Sequence, residues 1–186
     1  MTSSIALACH PANQCESVRR VEVQARRTRP DTLELEYVLE GDIARLLIPA
    51  ESAPCRADKL WQHTCFEAFV AAMGTTGYHE FNFSPSTEWA IYRFSAYREG
   101  MTPVAPTLPP AVSLRRGRDR LTLAASIDLD SLPELRGSGA LRLGLSAVIE
   151  DTQHNSTYWA LAHPPGKPDF HHADGFALKL PADAGQ

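Results

Sequence analysis

The chain has 186 residues, 44% of them apolar and 22% charged, with a formal net charge of −4 and a pI near 6.0. That length suits one domain with a sizeable core. The charge balance gives no general attraction to nucleic acid or to an anionic membrane, so neither is expected as a partner. No apolar run approaches the roughly 20 residues of a membrane span. The first residues lack the basic leader and apolar stretch of a signal peptide, so a cytoplasmic location is expected. Cys9, Cys15, Cys55 and Cys65 show no zinc-ligand spacing and are expected as reduced thiols.

Residues 1–16 read as an N-terminal extension, poorly ordered or draped over the body, and residues 17–182 as a single domain. Val18 to Ala25 has mixed strand character. A turn at Arg29-Pro30-Asp31 follows. Leu33, Leu35, Tyr37 and Leu39 then alternate with polar residues, the period of a half-buried strand. Glu40-Gly41-Asp42 reads as a hairpin turn, with Ile43 to Ile48 as its returning strand. Pro49 to Lys59 is a connecting loop.

Trp61 to Met73 admits two readings. Phe66, Phe69, Val70 and Met73 fall at helical spacing, but His63, Cys65 and Glu67 alternate with Thr64 and Phe66. The GTTG loop at 74–77 favours a strand that turns back into Tyr78–Phe83. In that second strand Tyr78, Glu80 and Asn82 share one face, and His79, Phe81 and Phe83 the other. Glu88 to Ser95 is a further aromatic strand. Pro103, Pro106, Pro109 and Pro110 mark an irregular crossing segment.

Val112–Arg116 and Leu121–Leu129 flank a turn at Gly117-Arg118-Asp119. Arginines cluster here and at 26–29, beside turns, which suits solvated strand ends. Ser131 to Arg136 suggests a short helix. Leu141, Leu143, Leu145, Ala147 and Ile149 give the clearest alternation in the chain. Tyr158–Leu161 and Phe176–Leu180 close it. Nine to eleven short strands without a long helix predict an all-β protein, an antiparallel β-sandwich or barrel.

Chemistry concentrates between Trp61 and Met101. That stretch holds two of three Trp, three of five Tyr and five of seven Phe. Trp61, Trp89, Tyr92 and Trp159 are candidate stacking residues for a sugar, whose ring has an apolar face and a polar rim; aromatics on sandwich strands also serve as plain core. Glu67, Glu80 and Asn82 sit on adjacent strands, where a buried carboxylate needs a ligand, a metal or an arginine such as Arg93 or Arg98. Glu67 and Glu80 would also suit the acid–base pair of a glycoside hydrolase. The proline-stiffened loop 163–172 offers Lys167 and His171 as a binding rim, and equally suits a solvent-exposed crossover. Adjacent histidines on extended chain point apart, so no metal site is predicted. Met73, Met101, His79, His163 and His171 are the candidate haem ligands, and nothing in their spacing selects a pair.

The run Trp61-x-His63-Thr64-Cys65-Phe66-Glu67-x-Phe69, then Tyr78-x-Glu80-Phe81-Asn82-Phe83-Ser84-Pro85, then Trp89-x-x-Tyr92, resembles the DOMON-like domains, akin to the family 9 carbohydrate-binding modules. The closing segment PPGKPDFHHADGFALKLP is similar to the tail of bacterial DOMON-like proteins. The resemblance spans roughly residues 15–181 and implies a β-sandwich that binds a sugar or haem. The expected function is a non-catalytic module for a carbohydrate or related polar small molecule. Its site residues would be Trp61, Glu67, Glu80, Asn82, Trp89, Arg93, Trp159, Lys167 and His171. A haem-binding redox module, and behind it a glycoside hydrolase, are the alternatives. No cofactor is predicted; haem and calcium stay open, as does a protein partner pairing with an exposed edge strand.

Overall fold

A computed structural model describes residues 4–13 and 16–182; the expected reduced thiol at Cys15 lies outside them. Thirteen strands, three of them two residues long, form two antiparallel sheets, with no α-helix among the described residues. The strands are β1 (Ile5–Ala6), β2 (Ala8–Cys9), β3 (Val18–Arg29), β4 (Thr32–Gly41), β5 (Cys65–Ala72), β6 (Tyr78–Phe83), β7 (Trp89–Phe94), β8 (Thr102–Pro103), β9 (Ala111–Arg116), β10 (Arg120–Asp128), β11 (Leu141–Glu150), β12 (Ser156–Ala160) and β13 (Leu178–Leu180). The first sheet runs β1-β3-β4-β10-β9. The second runs β2-β12-β11-β5-β6-β7-β8, with β13 paired to the first half of β11.

The sandwich core follows from period-two patterning. Leu33, Leu35, Tyr37 and Leu39 of β4 face Phe66, Ala68 and Val70 of β5, Phe81 and Phe83 of β6, and the leucine series of β11. Burial of each such side chain is worth about 1.5–3 kcal/mol. Tyr37 reaches across the core, and its hydroxyl donates to the main-chain carbonyl of Glu67 at 2.7 Å. Burial pushes the Tyr37 phenol well above its ordinary pKa, so it stays a donor.

The second sheet is buried on its outer face as well. Phe69, Ala71, Tyr78, Ala90, Tyr92 and Phe94 form a smaller apolar cluster there, with Leu60, Trp61, Phe170 and Phe176 packed against it. This explains the ambiguity of FEAFVAAM. A strand buried on both faces loses its alternation and reads as a continuous apolar run. Phe66 and Val70 point into the sandwich and Phe69 into the outer cluster, while Met73 lies exposed beyond the strand.

Several expectations about elements are corrected. The predicted strand Ile43–Ile48 is a 3-10 turn at Ile43–Arg45 followed by one bridge from Leu46 to Asp151. It has no edge to pair with, because β4 is flanked by β3 and β10. Glu40-Gly41-Asp42 is therefore no hairpin. Gly41 ends β4 opposite Val18, and the Asp42 N–H donates to the Ser17 carbonyl at 2.8 Å. The short helix expected at 131–136 is reduced to a 3-10 turn at Leu129–Ser131 and further turns, which bury Leu132 and Leu135. Trp61 is not on a strand; it lies in a 3-10 turn, Leu60–Gln62, entered through Lys59 in the left-handed region. The segment expected to drape over the body also pairs, β1 with β3 and β2 with β12.

Gly41 is required by close approach. A Cβ there would lie 2.1 Å from the Ser17 carbonyl oxygen. Gly41→Ala should therefore destabilise the fold by about 2–3 kcal/mol, within the range of severe single substitutions. The measurement is the urea midpoint; an unchanged midpoint would show that the 17–41 contact yields freely.

Candidate functional site

The outer face of the second sheet carries a cavity of about 400 Å³. Its floor is the sheet: Glu67 and Phe69 of β5, Glu80 of β6, Phe94 of β7 and Val148 of β11. Its walls are Trp61, Tyr158, Phe170 and His171, with Arg98, Met101 and Pro168 at the rim. A volume of this size falls in the range of small-molecule sites.

Strand register brings the carboxyls together. Glu67 pairs across to Asn82, and Glu80 pairs across to Phe69. Residues two apart on a strand share a face, so Glu67, Phe69, Glu80 and Asn82 all point outward. Glu67 is only 3% exposed and Glu80 5%. The Asn82 amide donates to Glu80 Oε1 at 2.8 Å. Glu67 Oε1 has no hydrogen-bond partner, and neither has Ser146 Oγ, directly across the ladder from Glu67 on β11.

The electrostatics follow from that burial. Desolvation, and then the charge of Glu80, push the Glu67 carboxyl well above its ordinary value. Burial also raises Glu80, with the Asn82 hydrogen bond and the Arg98 charge opposing it. His171 faces Glu80 Oε2 through Nε2 at 3.6 Å, and its Nδ1 lies 2.8 Å from the Tyr78 hydroxyl. Burial, helped by Arg98, lowers His171 to about 4, so the ring is neutral at neutral pH.

The covering segment is pinned at several points. Asp169 accepts from Arg98 at 2.8 Å and from the Tyr97 hydroxyl. His171 packs edge-on against Phe69 and Phe94, each with ring centroids 5.0 Å apart. Gly144 of β11 leaves room for the turn at Ala173–Gly175, whose carbonyl oxygen at Gly175 would sit 3.2 Å from a Cβ at 144. On the opposite wall Trp61 meets Tyr92 edge-on at 5.5 Å, and the Tyr92 hydroxyl donates to Asp58 at 2.6 Å.

Of the nine expected site residues, the structure gathers Trp61, Glu67, Glu80 and His171 around the cavity, with Asn82 directly behind Glu80. It separates the other four. Trp89 and Trp159 point into the sandwich core, 6% and 7% exposed, because β7 and β12 place them on the inner face. Arg93 is also on the inner-face side of β7 and pairs with Glu134 at 2.6 Å. Lys167 is exposed at the tip of its loop and does not line the cavity. Of the candidate stacking residues only Trp61 lines the cavity, and the other aromatic walls are Tyr158 and Phe170. Sequence reasoning missed Phe69, Phe94, Val148 and Tyr158. Parity with Glu67 marks Phe69; the others need the register of neighbouring strands.

The candidate haem ligands do not fit that group. Met101 and His171 line the same cavity, but both His171 nitrogens face other groups and two carboxyls occupy the floor. His79 lies on the opposite face, Met73 is exposed on the GTTG side, and His163 Nε2 lies 2.8 Å from the Ala8 carbonyl. No group of three or more His, Cys, Asp or Glu among the described residues is arranged to hold a metal ion such as calcium.

A pH test follows. Because its native pKa is raised, Glu67 binds more protons folded than unfolded above the ordinary glutamate value of about 4.3, so its contribution to stability falls as pH rises from there. Glu67→Gln removes this loss. The variant should gain stability over the parent with each step upward from mildly acidic to neutral pH, in denaturant midpoints. A difference that is flat or shrinks with pH would show that Glu67 is not buried as described. His171 works in the opposite sense, losing stability as pH falls towards about 4, and cancels in the comparison.

No protein-family model matches the chain, nor does any curated protein. Solved structures do. A protein from Bacteroides uniformis, provisionally described as carbohydrate-binding, superposes with a TM-score of 0.68 at 17% identity, covering 97% of this chain and 86% of that one. A family 9 carbohydrate-binding module from Caldicellulosiruptor kristjanssonii, solved with cellotriose, gives 0.52 at 10% identity, covering 89% and 75%. At these identities the likeness is one of fold, and the fold is the antiparallel β-sandwich of those proteins.

Proposed function

We propose that the chain is a non-catalytic binding module for a carbohydrate or related polyhydroxylated small molecule, held in the cavity on the outer face of the second sheet. One observation carries this reading: the cavity sets buried hydrogen-bonding carboxyls, one of them unpartnered, in a floor walled by aromatic rings. A sugar matches both. Its C–H faces cover Trp61, Tyr158 and Phe170, and its hydroxyls reach Glu67 and Glu80. An unpartnered buried polar atom costs about 1–3 kcal/mol, which a ligand that bonds to it recovers. The fold neighbour solved with cellotriose adds support, since a sandwich of this kind is compatible with a sugar site.

The placement of Glu67 and Glu80 on one face of adjacent strands favours a second reading, hydrolysis of a glycoside by an acid and a base. Chromogenic glycosides separate the two: turnover by the parent, lost in Glu67→Gln or Glu80→Gln, would establish the hydrolase.

The binding reading makes a contrast between tryptophans. Trp61→Ala should weaken sugar binding about tenfold or more, roughly 1.4 kcal/mol, with little change in melting temperature. Trp89→Phe should lower the melting temperature and leave affinity within about twofold, since its ring packs only in the core. Calorimetric titration over a panel of mono- and oligosaccharides, beside thermal melts, measures both. Equal affinity for parent and Trp61→Ala would place the site elsewhere.

A further inference from the structure

The cavity has an unbalanced set of ionisable groups. Two buried carboxyls line it, Glu67 and Glu80. The cations answer them only in part, through the Arg98 charge on Glu80. Arg98 stands at the rim, half exposed, with its guanidinium on Asp169 Oδ1 at 2.8 Å. His171 turns Nε2 toward Glu80 but is neutral near pH 7, and no other arginine, and no lysine, lines the cavity. Glu67 Oε1 is the extreme case, an acceptor without a donor and effectively out of water.

The groups around Glu67 supply no cation either. Cys65 lies two residues along β5, and burial, with the Glu67 charge adding to it, keeps its thiol well above the ordinary pKa. Asn82 of β6 spends its amide on Glu80, and Ser146 of β11 leaves its own oxygen unpartnered. From the first sheet, Tyr37 bonds the main-chain carbonyl of Glu67, not the carboxyl. Tyr78 bonds with His171 and with the Arg98 N–H, and Asp169 adds further negative charge at the rim.

A neutral hydroxyl would satisfy one lone pair. An ammonium brings three donors and a full positive charge, and charge-assisted hydrogen bonds are roughly twice as strong as neutral ones. We propose that the ligand carries a protonated amine, and that the carbohydrate bound here is an amino sugar with a free amino group, its ammonium seated against Glu67 and Glu80. This rests on the cavity being a sugar site. The apolar face of the ring lies along Trp61, Tyr158 and Phe170. In the free protein the carboxyl pair holds a proton, and the incoming ammonium displaces it to solvent.

The test is calorimetric titration of the full chain at mildly acidic pH with glucosamine, N-acetylglucosamine and glucose, their galacto and manno epimers, and cadaverine. Each is run in two buffers of different ionisation enthalpy. At least one amino sugar should bind about tenfold or more tightly than its N-acetyl and neutral counterparts, a difference of roughly 1.4 kcal/mol, with proton release on binding. Glu67→Gln should cut that preference to about threefold or less, since the isostere keeps the shape and loses the charge. Should that variant melt without cooperativity, Glu80→Gln serves the same purpose, and the comparison of sugars on the parent needs neither. A neutral or N-acetylated sugar binding as tightly as its amino form overturns the inference and leaves the carbohydrate reading standing. Cadaverine binding without any sugar upholds the cation site and overturns the carbohydrate reading. Silence across every probe overturns both.

Discussion

A sheet buried on both faces has no natural place for a carboxylate, and the second sheet of this sandwich accommodates three on its outer side. Desolvating an ionised carboxylate without partners costs several kcal/mol, so each must be paired, protonated or left for something else to complete. Glu150 is paired. His63 and His154 lie 2.8 and 2.7 Å from its two oxygens, and the Thr64 hydroxyl accepts from its main-chain N–H. Burial works against its ionisation, but the two histidines outweigh it and hold the carboxyl below its ordinary value. Glu67 and Glu80 sit on the same face in the opposite condition, both raised. One sheet face thus shows the two outcomes of burying an acid, a carboxyl satisfied by two histidines at one end and, in the middle, two raised carboxyls of which Glu67 keeps an unpartnered oxygen.

Glu67 is held from below. The Glu67 main chain is fixed by β6 and β11 on either side and by the Tyr37 hydroxyl from the opposing sheet. Phe66 and Ala68 anchor it in the core on both sides. That packing fixes the main chain from which the side chain projects into the cavity. A side chain supported on strands in this way is positioned more precisely than one on a loop.

Much of this was legible in the residues. The leucine alternation of β4 and β11, and the parity of Tyr78, Glu80 and Asn82 against Phe81 and Phe83, follow from side-chain period alone. The pairing of Glu67 with Asn82, and with it the placement of Glu80 on the same face, follows from the hairpin at 74–77. Register beyond that hairpin was not legible. The connection from Phe83 to Trp89 contains Thr87 in the left-handed region, and its turn geometry decides that Ala90, Tyr92 and Phe94, rather than Trp89 and Arg93, share the face of Asn82. A shift by one residue exchanges the two faces, which is why Trp89 lies on the inner face and not beside the carboxyls. Trp159 lies on the inner face for the same reason, its face being set by pairing with Ala147. Ile43–Ile48 has strand-forming residues and no strand, because edges are a property of the assembled sheet and not of the segment.

The cover over the cavity is continuous in sequence, whereas the floor is assembled from strands far apart in the chain. Residues 163–176 supply Pro168, Phe170 and His171 and are fastened through Asp169, His171 and the close contact of Gly175 with Gly144. None of these fastenings passes through the sandwich core. The segment is therefore a replaceable cassette on a fixed frame. Its length and side chains can vary, by divergence or by grafting, to reshape one wall of the cavity while the carboxyl floor and the register that creates it stay constant.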